Sequence, residues 1–356
     1  MYSIQLTAPF QLESGEKIEN LEIGFHIFGK LNPAKDNVVW VCHALTANSD
    51  VFSWWEGLFG KEKTFNPEEH FIVCVNSLGS CYGTTGPKSP QRNKRPSLDQ
   101  FPLVTTRDMA RVNEELRLIL GIDKVSLLIG ASLGGQQALE WSVNSPDVHE
   151  KIILMATNAR HSAYGIAFNE SQRLAIFSDS TYGNNQIEGG RQGLIAARSI
   201  AMLSYRTYQS YSKTQTNPGD HVTDAFLASS YQNYQGQKLA DRFCAYSYVT
   251  LSRAMDAHNV GRNRESVEAA LGSIKAQVLV IGIESDHLFP VEEQEFLAKH
   301  INNARYAEIQ SEYGHDGFLI ETDQIKELIT HFLSDQVPEN YSQVIHNNHT
   351  QFKLVK

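Results

Sequence analysis

The sequence predicts an α/β protein: a mostly parallel sheet with helices on both faces, interrupted by a helical insertion. Three observations carry that expectation. Short β-branched runs recur at 38–42 (VVWVC), 71–76 (FIVCVN), 125–129 (VSLLI), 151–155 (KIILM) and 277–283 (QVLVIGI). Their near-continuous apolar character fits parallel strands covered on both faces. Helical patterns lie between them, so strand and helix alternate as crossover connections require. Finally, 163–272 contains no convincing strand run and is rich in Arg, Tyr, Gln and Ala at helical spacing.

Taken along the chain, the amino-terminal 21 residues alternate apolar and polar residues, which reads as folded structure rather than a secretory signal. Met109, Val112, Leu116 and Leu120 recur at three- and four-residue spacing over 106–120, and a second helix is expected over 135–144. After the insertion, strand and helix return over 277–333, with helices expected at 291–300 and 318–333. The expected division is therefore a core made of 1–162 and 273–335, a helical lid over 163–272, and a peripheral tail over 336–356.

At 356 residues the chain has room for one large domain with an insertion and a sizeable buried core. No apolar run approaches the roughly 20 residues that span a bilayer, so a cytoplasmic protein with no membrane partner is expected. The net charge of −9 lacks the clustered Lys and Arg that bind nucleic acid. Cys42, Cys74, Cys81 and Cys244 are too scattered for a disulfide scaffold, and no cluster has metal-ligand spacing. Small-molecule substrates are the expected partners, with no metal and no bound cofactor.

Chemistry enters at Gly130-Ala131-Ser132-Leu133-Gly134-Gly135, a GxSxG sequence directly after the run VSLLI and before a helical pattern. A nucleophile elbow needs small residues two before and two after the serine, because the strand-to-helix turn is too tight for side chains there. A glycine-rich turn with a serine helix cap has the same local appearance. Two partners in the right order separate these readings. Asp286 lies just beyond the run QVLVIGI, along the sheet edge where open parallel sheets gather their sites. His315 sits in the Gly-flanked loop YGHDG.

The order Ser, Asp, His matches the α/β-hydrolase fold. The chemistry calls for a histidine to take the serine proton, a carboxylate to hold the imidazole tautomer, and N–H donors for the oxyanion. Ser132, His315 and Asp286 fill the side-chain roles. Asp316 competes as the acid, although its adjacency points it away from the ring edge that Asp286 reaches. The main-chain N–H groups of Leu45 and Leu133 are the expected oxyanion donors, with His43 bracing the loop.

The chain resembles the homoserine O-acetyltransferase family from about residue 10 to 333. The matching stretches include His43-Ala44-Leu45-Thr46, NSLGSCYGTTGP at 76–87, IAFNESQR at 166–173, SDHLFP at 285–290 and Gly314-His315-Asp316. The resemblance implies a ping-pong transfer of acetyl from acetyl-CoA, a substrate rather than a bound cofactor, to the hydroxyl of L-homoserine, a step of methionine biosynthesis. It also implies that Arg198 and Asp316 hold the amino acid, and that the aromatic-rich lid helps build a homodimer. A zwitterionic acceptor wants a guanidinium for its carboxylate and a carboxylate for its ammonium. Arg198 also reads as an ordinary exposed helix charge, with Arg191 and Arg206 nearby. The elbow reads GASLGG where the family commonly has GGSMGG, and 180–190 is shortened, so succinyl donors, a serine acceptor, a water-using esterase and a catalytically dead binding module stay open.

Overall fold

The structure, a computed structural model, describes residues 1–90, 96–336, 341–346 and 349–354. Its strands are β1 (Tyr2–Gln5), β2 (Phe10–Gln11), β3 (Lys17–Ile18), β4 (Glu22–Phe28), β5 (Val38–Cys42), β6 (Phe71–Val75), β7 (Val125–Ala131), β8 (His149–Met155), β9 (Gln277–Ile283), β10 (Ala304–Ile309), β11 (Tyr341–His346) and β12 (His349–Leu354). Its helices are α1 (Thr106–Ile119), α2 (Leu133–Asn144), α3 (Ala163–Phe177), α4 (Arg191–Tyr205), α5 (Tyr208–Thr214), α6 (Leu227–Ala240), α7 (Ala245–Asp256), α8 (Val267–Gly272), α9 (Val291–His300), α10 (Gly317–Ile320) and α11 (Thr322–Leu333).

Ten strands form one sheet in the order β1-β4-β6-β5-β7-β8-β9-β10-β12-β11. From β6 through β12 the neighbours run parallel, while β1, β4 and β11 are antiparallel additions at the edges. The period-two alternation of a strand explains the two apolar layers. Val38, Trp40 and Cys42 face Met109, Val112 and Leu116 of α1 and Trp141 of α2. Val39 and Val41 face the other way, into a layer with Trp55, Phe59, Phe65 and, from α11, Leu328 and Phe332. Trp40 packs edge-on to Trp141 at 5.1 Å and donates its indole N–H to Asn113 at 2.8 Å, so its one polar atom is satisfied in the core.

Two differences from the sequence expectation have a physical origin. β4 and β10 carry charged or half-exposed residues, such as Glu22, Arg305 and Glu308, and so lack the continuous apolar run that marks a fully covered strand. The helix expected over 318–333 is broken at Glu321, whose ψ of 48° leaves the helical region and separates α10 from α11.

Between β8 and β9 the chain passes through α3 to α8 with no strand. The insertion leaves and rejoins the core where Val260 N–H donates to Ala159 O at 2.9 Å and His161 N–H to His258 O at 3.1 Å. This stem lies inside the expected boundary of 272, because α8 packs on α9 of the core. Ion pairs hold the returning stem: Arg262 reaches Glu13 at 2.8 Å, and Arg264 reaches the buried Glu140 at 3.0 Å. Arg107 bridges both carboxylates, at 2.7 and 3.0 Å. The 336–356 tail contributes the β11–β12 hairpin, which extends the sheet beside β10. Among the described residues no helix is long and apolar enough to cross a membrane.

Candidate active site

β7 ends at Ala131 and α2 begins at Leu133, so Ser132 alone makes the turn. Its backbone adopts φ 55° and ψ −126°, a conformation that an L-residue holds only when its surroundings dictate it. The dictating contacts are close. A Cβ on Gly134 would lie 2.0 Å from Cys42 O, and one on Gly130 would lie 2.4 Å from Gly134 O. Glycine at both positions is therefore a packing requirement that lets α2 press against the end of β5. Ser132 N–H donates to Met155 O at 3.0 Å, and Thr157 Oγ1 donates to Ser132 O at 2.9 Å, fixing the strained residue from the end of β8 and the segment just after it.

The side chain so presented meets His315: Ser132 Oγ lies 2.9 Å from Nε2. On the other edge of the ring, Nδ1 lies 2.7 Å from Asp286 Oδ2. A carboxylate only accepts, so this contact assigns the proton to Nδ1 and leaves Nε2 as the acceptor facing the serine. Asp286 is itself anchored, since Leu288 and Phe289 N–H donate to Oδ1 at 2.8 and 2.9 Å. The loops that carry the acid and the base are tied together, with Gly314 N–H donating to Ser285 Oγ and Ser285 Oγ–H to Ser311 O. All three side chains are buried. Phe289 stacks on the imidazole at 5.0 Å, and Phe318 and Tyr205 close its other sides at 5.5 and 5.6 Å. This apolar collar limits the ring's rotation and its contact with water.

Leu45 lies on the loop after β5 and lines the cavity over Ser132. Leu133 is the first residue of α2, where helical N–H groups have no intrahelical acceptor. His43 sets the Leu45 loop. Its Nδ1–H donates to Ala44 O at 2.8 Å and its Nε2 accepts from Ser77 N–H at 2.9 Å, so both ring nitrogens are occupied by backbone. Burial pulls its pKa down to about 4, which keeps the ring neutral and its two roles fixed.

The cavity in front of the serine has a volume of about 380 Å³. Its core wall includes Leu45, Asn48, Trp54 and Phe318, and its lid wall includes Arg198, Tyr205, Lys238 and Arg242. Arg198, on α4, lies over the Tyr205 ring at 5.2 Å. Asp316 lines the same cavity but is not part of the relay. Its Oδ2 lies 2.8 Å from Arg206 Nε, in an ion pair whose Nε–H is not aimed at the oxygen. The rival assignment of Asp316 as the acid therefore has no geometric support, whereas Asp286 touches the ring.

Arg198 and Asp316 thus both line the cavity, one from α4 and one from the loop after β10, and Arg206 stands as the carboxylate's partner. Arg206 was legible only as a neighbouring charge, although it directly follows Tyr205 in the stretch that contains Arg198. Lys238 and Arg242 carry no local signal that separates them from exposed helix charges.

Behind the elbow a second polar group joins α2, the segment after β8 and α9 within the core. Asn158 Nδ2 donates to Glu293 at 2.9 Å, and Gln136 Nε2 of α2 donates to Asn158 Oδ1 at 3.0 Å. Burial, reinforced by the charge of Asp286, raises the Glu293 carboxyl to about 7 against the opposing hydrogen bond from Asn158.

Comparison with known proteins identifies the family and agrees with the fold. A family model described as the alpha/beta hydrolase fold matches residues 37–322. Homoserine O-acetyltransferase from Cyclobacterium marinum is 48% identical over 322 residues, covering 90% of this chain and 92% of that one. The crystal structure of homoserine O-acetyltransferase from Staphylococcus aureus superposes with a TM-score of 0.78 at 31% identity, covering 93% of this chain and 94% of that one. Esterase E22 superposes with a TM-score of 0.83 at 23% identity, covering 93% and 99%, a likeness of fold alone.

Proposed function

The chain belongs to the homoserine O-acetyltransferase family of the α/β-hydrolase fold, and on that premise we propose that it transfers acetyl from acetyl-CoA to the hydroxyl of L-homoserine through an acyl-serine. The observation that carries the reading is the continuous relay from Ser132 Oγ through His315 to Asp286, at 2.9 and 2.7 Å, facing a lid wall that holds Arg198.

In the first half-reaction His315 Nε2 takes the Ser132 proton as Oγ attacks the thioester carbonyl. The Asp286 carboxylate steadies the imidazolium so formed. The tetrahedral oxyanion is received by the N–H groups of Leu45 and Leu133, each such donor contributing about 3 kcal/mol to the transition state. Collapse breaks the C–S bond, and the departing thiolate takes the proton from His315. In the second half the acceptor hydroxyl gives its proton to His315 and attacks the acyl-serine, and Ser132 leaves with the proton returned. Arg198 pairs with the acceptor carboxylate, while Asp316, oriented by Arg206, meets its ammonium.

The test is thiol release from acetyl-CoA and succinyl-CoA, each with L-homoserine or L-serine, followed by product mass. Acceptor-dependent release with acetyl-CoA and homoserine, lost in Ser132→Ala, is the expected result. Release at the same rate without acceptor means a hydrolase. Preference for another pair reassigns the donor or acceptor.

A further inference from the structure

Four charged side chains line the catalytic cavity: Arg198, Lys238, Arg242 and Asp316. The single acid is held by Arg206. Among the described residues Arg198, Lys238 and Arg242 have no carboxylate partner; their contacts are the Tyr205 ring, the Tyr234 ring, and Thr46 O with Tyr82 OH. In a chain of net charge −9, three unneutralised cations on one wall are a local reversal of sign. A concave wall of one sign concentrates ligands of the other.

The cations are also graded by depth. Arg198 is half-buried near His315, whereas Lys238 and Arg242 are exposed at the rim. Lys238 lies in the last turn of α6 and Arg242 two residues beyond its end, a four-residue spacing that sets both toward the same cavity. Arg242 is positioned as well as charged. One terminal nitrogen donates to Thr46 O at 2.6 Å and to Tyr82 OH at 2.8 Å, tying the rim to the loop that carries Leu45. The guanidinium's other N–H groups remain for a ligand.

We propose that Lys238 and Arg242 form a phosphate-binding rim, which takes the nucleotide end of a coenzyme A thioester while its acyl end lies at Ser132. The proposal rests on the acyltransferase reading and deepens it by assigning residues to the donor. A simple ester has no group that needs two cations at the rim, and the acceptor carboxylate is served deeper in the cavity by Arg198. Coenzyme A carries a pyrophosphate and a 3′-phosphate, which suit a guanidinium fork and an ammonium point charge.

The experiment pairs binding with turnover on the full chain. Coenzyme A, which lacks an acyl group, is titrated calorimetrically into wild type, Lys238→Glu, Arg242→Gln and Arg242→Lys. KM is measured for acetyl-CoA and for S-acetyl-N-acetylcysteamine, a thioester without phosphates. The proposal expects the coenzyme A Kd to rise about tenfold in Lys238→Glu and in Arg242→Gln, as loss of one charge-assisted contact gives. Arg242→Lys should recover most of that loss. The ratio of the two KM values should rise in step, and added salt should weaken wild-type binding more than that of the variants. A coenzyme A Kd that does not differ between wild type and Lys238→Glu overturns the rim. So does an equal rise of both KM values, which would mean a disturbed lid. Wild type that binds coenzyme A through these residues but transfers no acyl group contradicts the acyltransferase reading and leaves the rim standing.

Discussion

The two walls of the cavity are built by different rules. The core wall is set by backbone: Ser132 is held in a strained conformation because β5, β7 and α2 converge too closely for anything but glycine at 130 and 134. His315 and Asp286 ride on loops stitched by Ser285, Ser311 and Gly314. The lid wall is set by side-chain reach. Arg198, Lys238 and Arg242 extend from helices, resting on aromatic faces or on a backbone carbonyl. The contrast teaches that the Ser132–His315–Asp286 arrangement is specified by chain geometry and the charge of the facing wall by a few long side chains.

Changes on the core wall should therefore act on kcat, and the largest expected effect there is at the acid. Asp286→Asn should lower kcat by about 10⁴-fold, because the imidazole loses the partner that fixes its tautomer. Asp316→Asn should instead act mainly on the acceptor KM. Steady-state kinetics of the two variants side by side would break the comparison if Asp316→Asn carried the larger kcat loss.

A smaller effect is expected at Gly134. Adding one methyl in Gly134→Ala must push α2 away from Cys42 O, and a displacement of about 1 Å at the nucleophile costs about 10²-fold in rate. Thermal unfolding together with kcat would show it, and wild-type values for both would mean that the elbow yields more easily than the contact implies.

On the lid wall, Arg198→Ala should raise the homoserine KM about 10- to 100-fold, the worth of a charged hydrogen bond of about 1.5–3 kcal/mol. Arg198→Lys should recover part of it. Varying homoserine at saturating acetyl-CoA reads this directly, and an unchanged acceptor KM would take Arg198 out of the acceptor site.

The smallest expected effect lies behind the elbow, on α9 of the core. Glu293 has a carboxyl raised from 4.5 to about 7, so the folded chain binds its proton more tightly than the unfolded chain does. Stability should then fall as pH rises from about 4.5 to about 7 and stay lower above that window. Glu293→Gln removes this dependence. Its Tm should exceed wild type at pH 8 and converge with it toward pH 4.5. A difference that is constant across pH would mean that Glu293 acts through packing alone.

The same division explains what was legible in the sequence. The buried strands β5 and β9 are visible to the residue because an apolar run covered on both faces is a local signal. The elbow is visible because glycine spacing encodes a close approach, and the triad follows from the order of its members. β10 was missed because Arg305 and Glu308 interrupt its apolar run. The ion pair between Arg206 and Asp316 joins the end of α4 to the loop after β10, a pairing that no local pattern encodes. Arg198 needed the family resemblance to be noticed, while Lys238 and Arg242 needed the folded cavity.

The most direct test of the account is the intact mass of the protein mixed with acetyl-CoA in the absence of acceptor. The account predicts an adduct of one acetyl group on Ser132, absent in Ser132→Ala, stable in water over many turnover times and discharged by L-homoserine. An adduct elsewhere, no adduct, or one that water removes as fast as homoserine would contradict it.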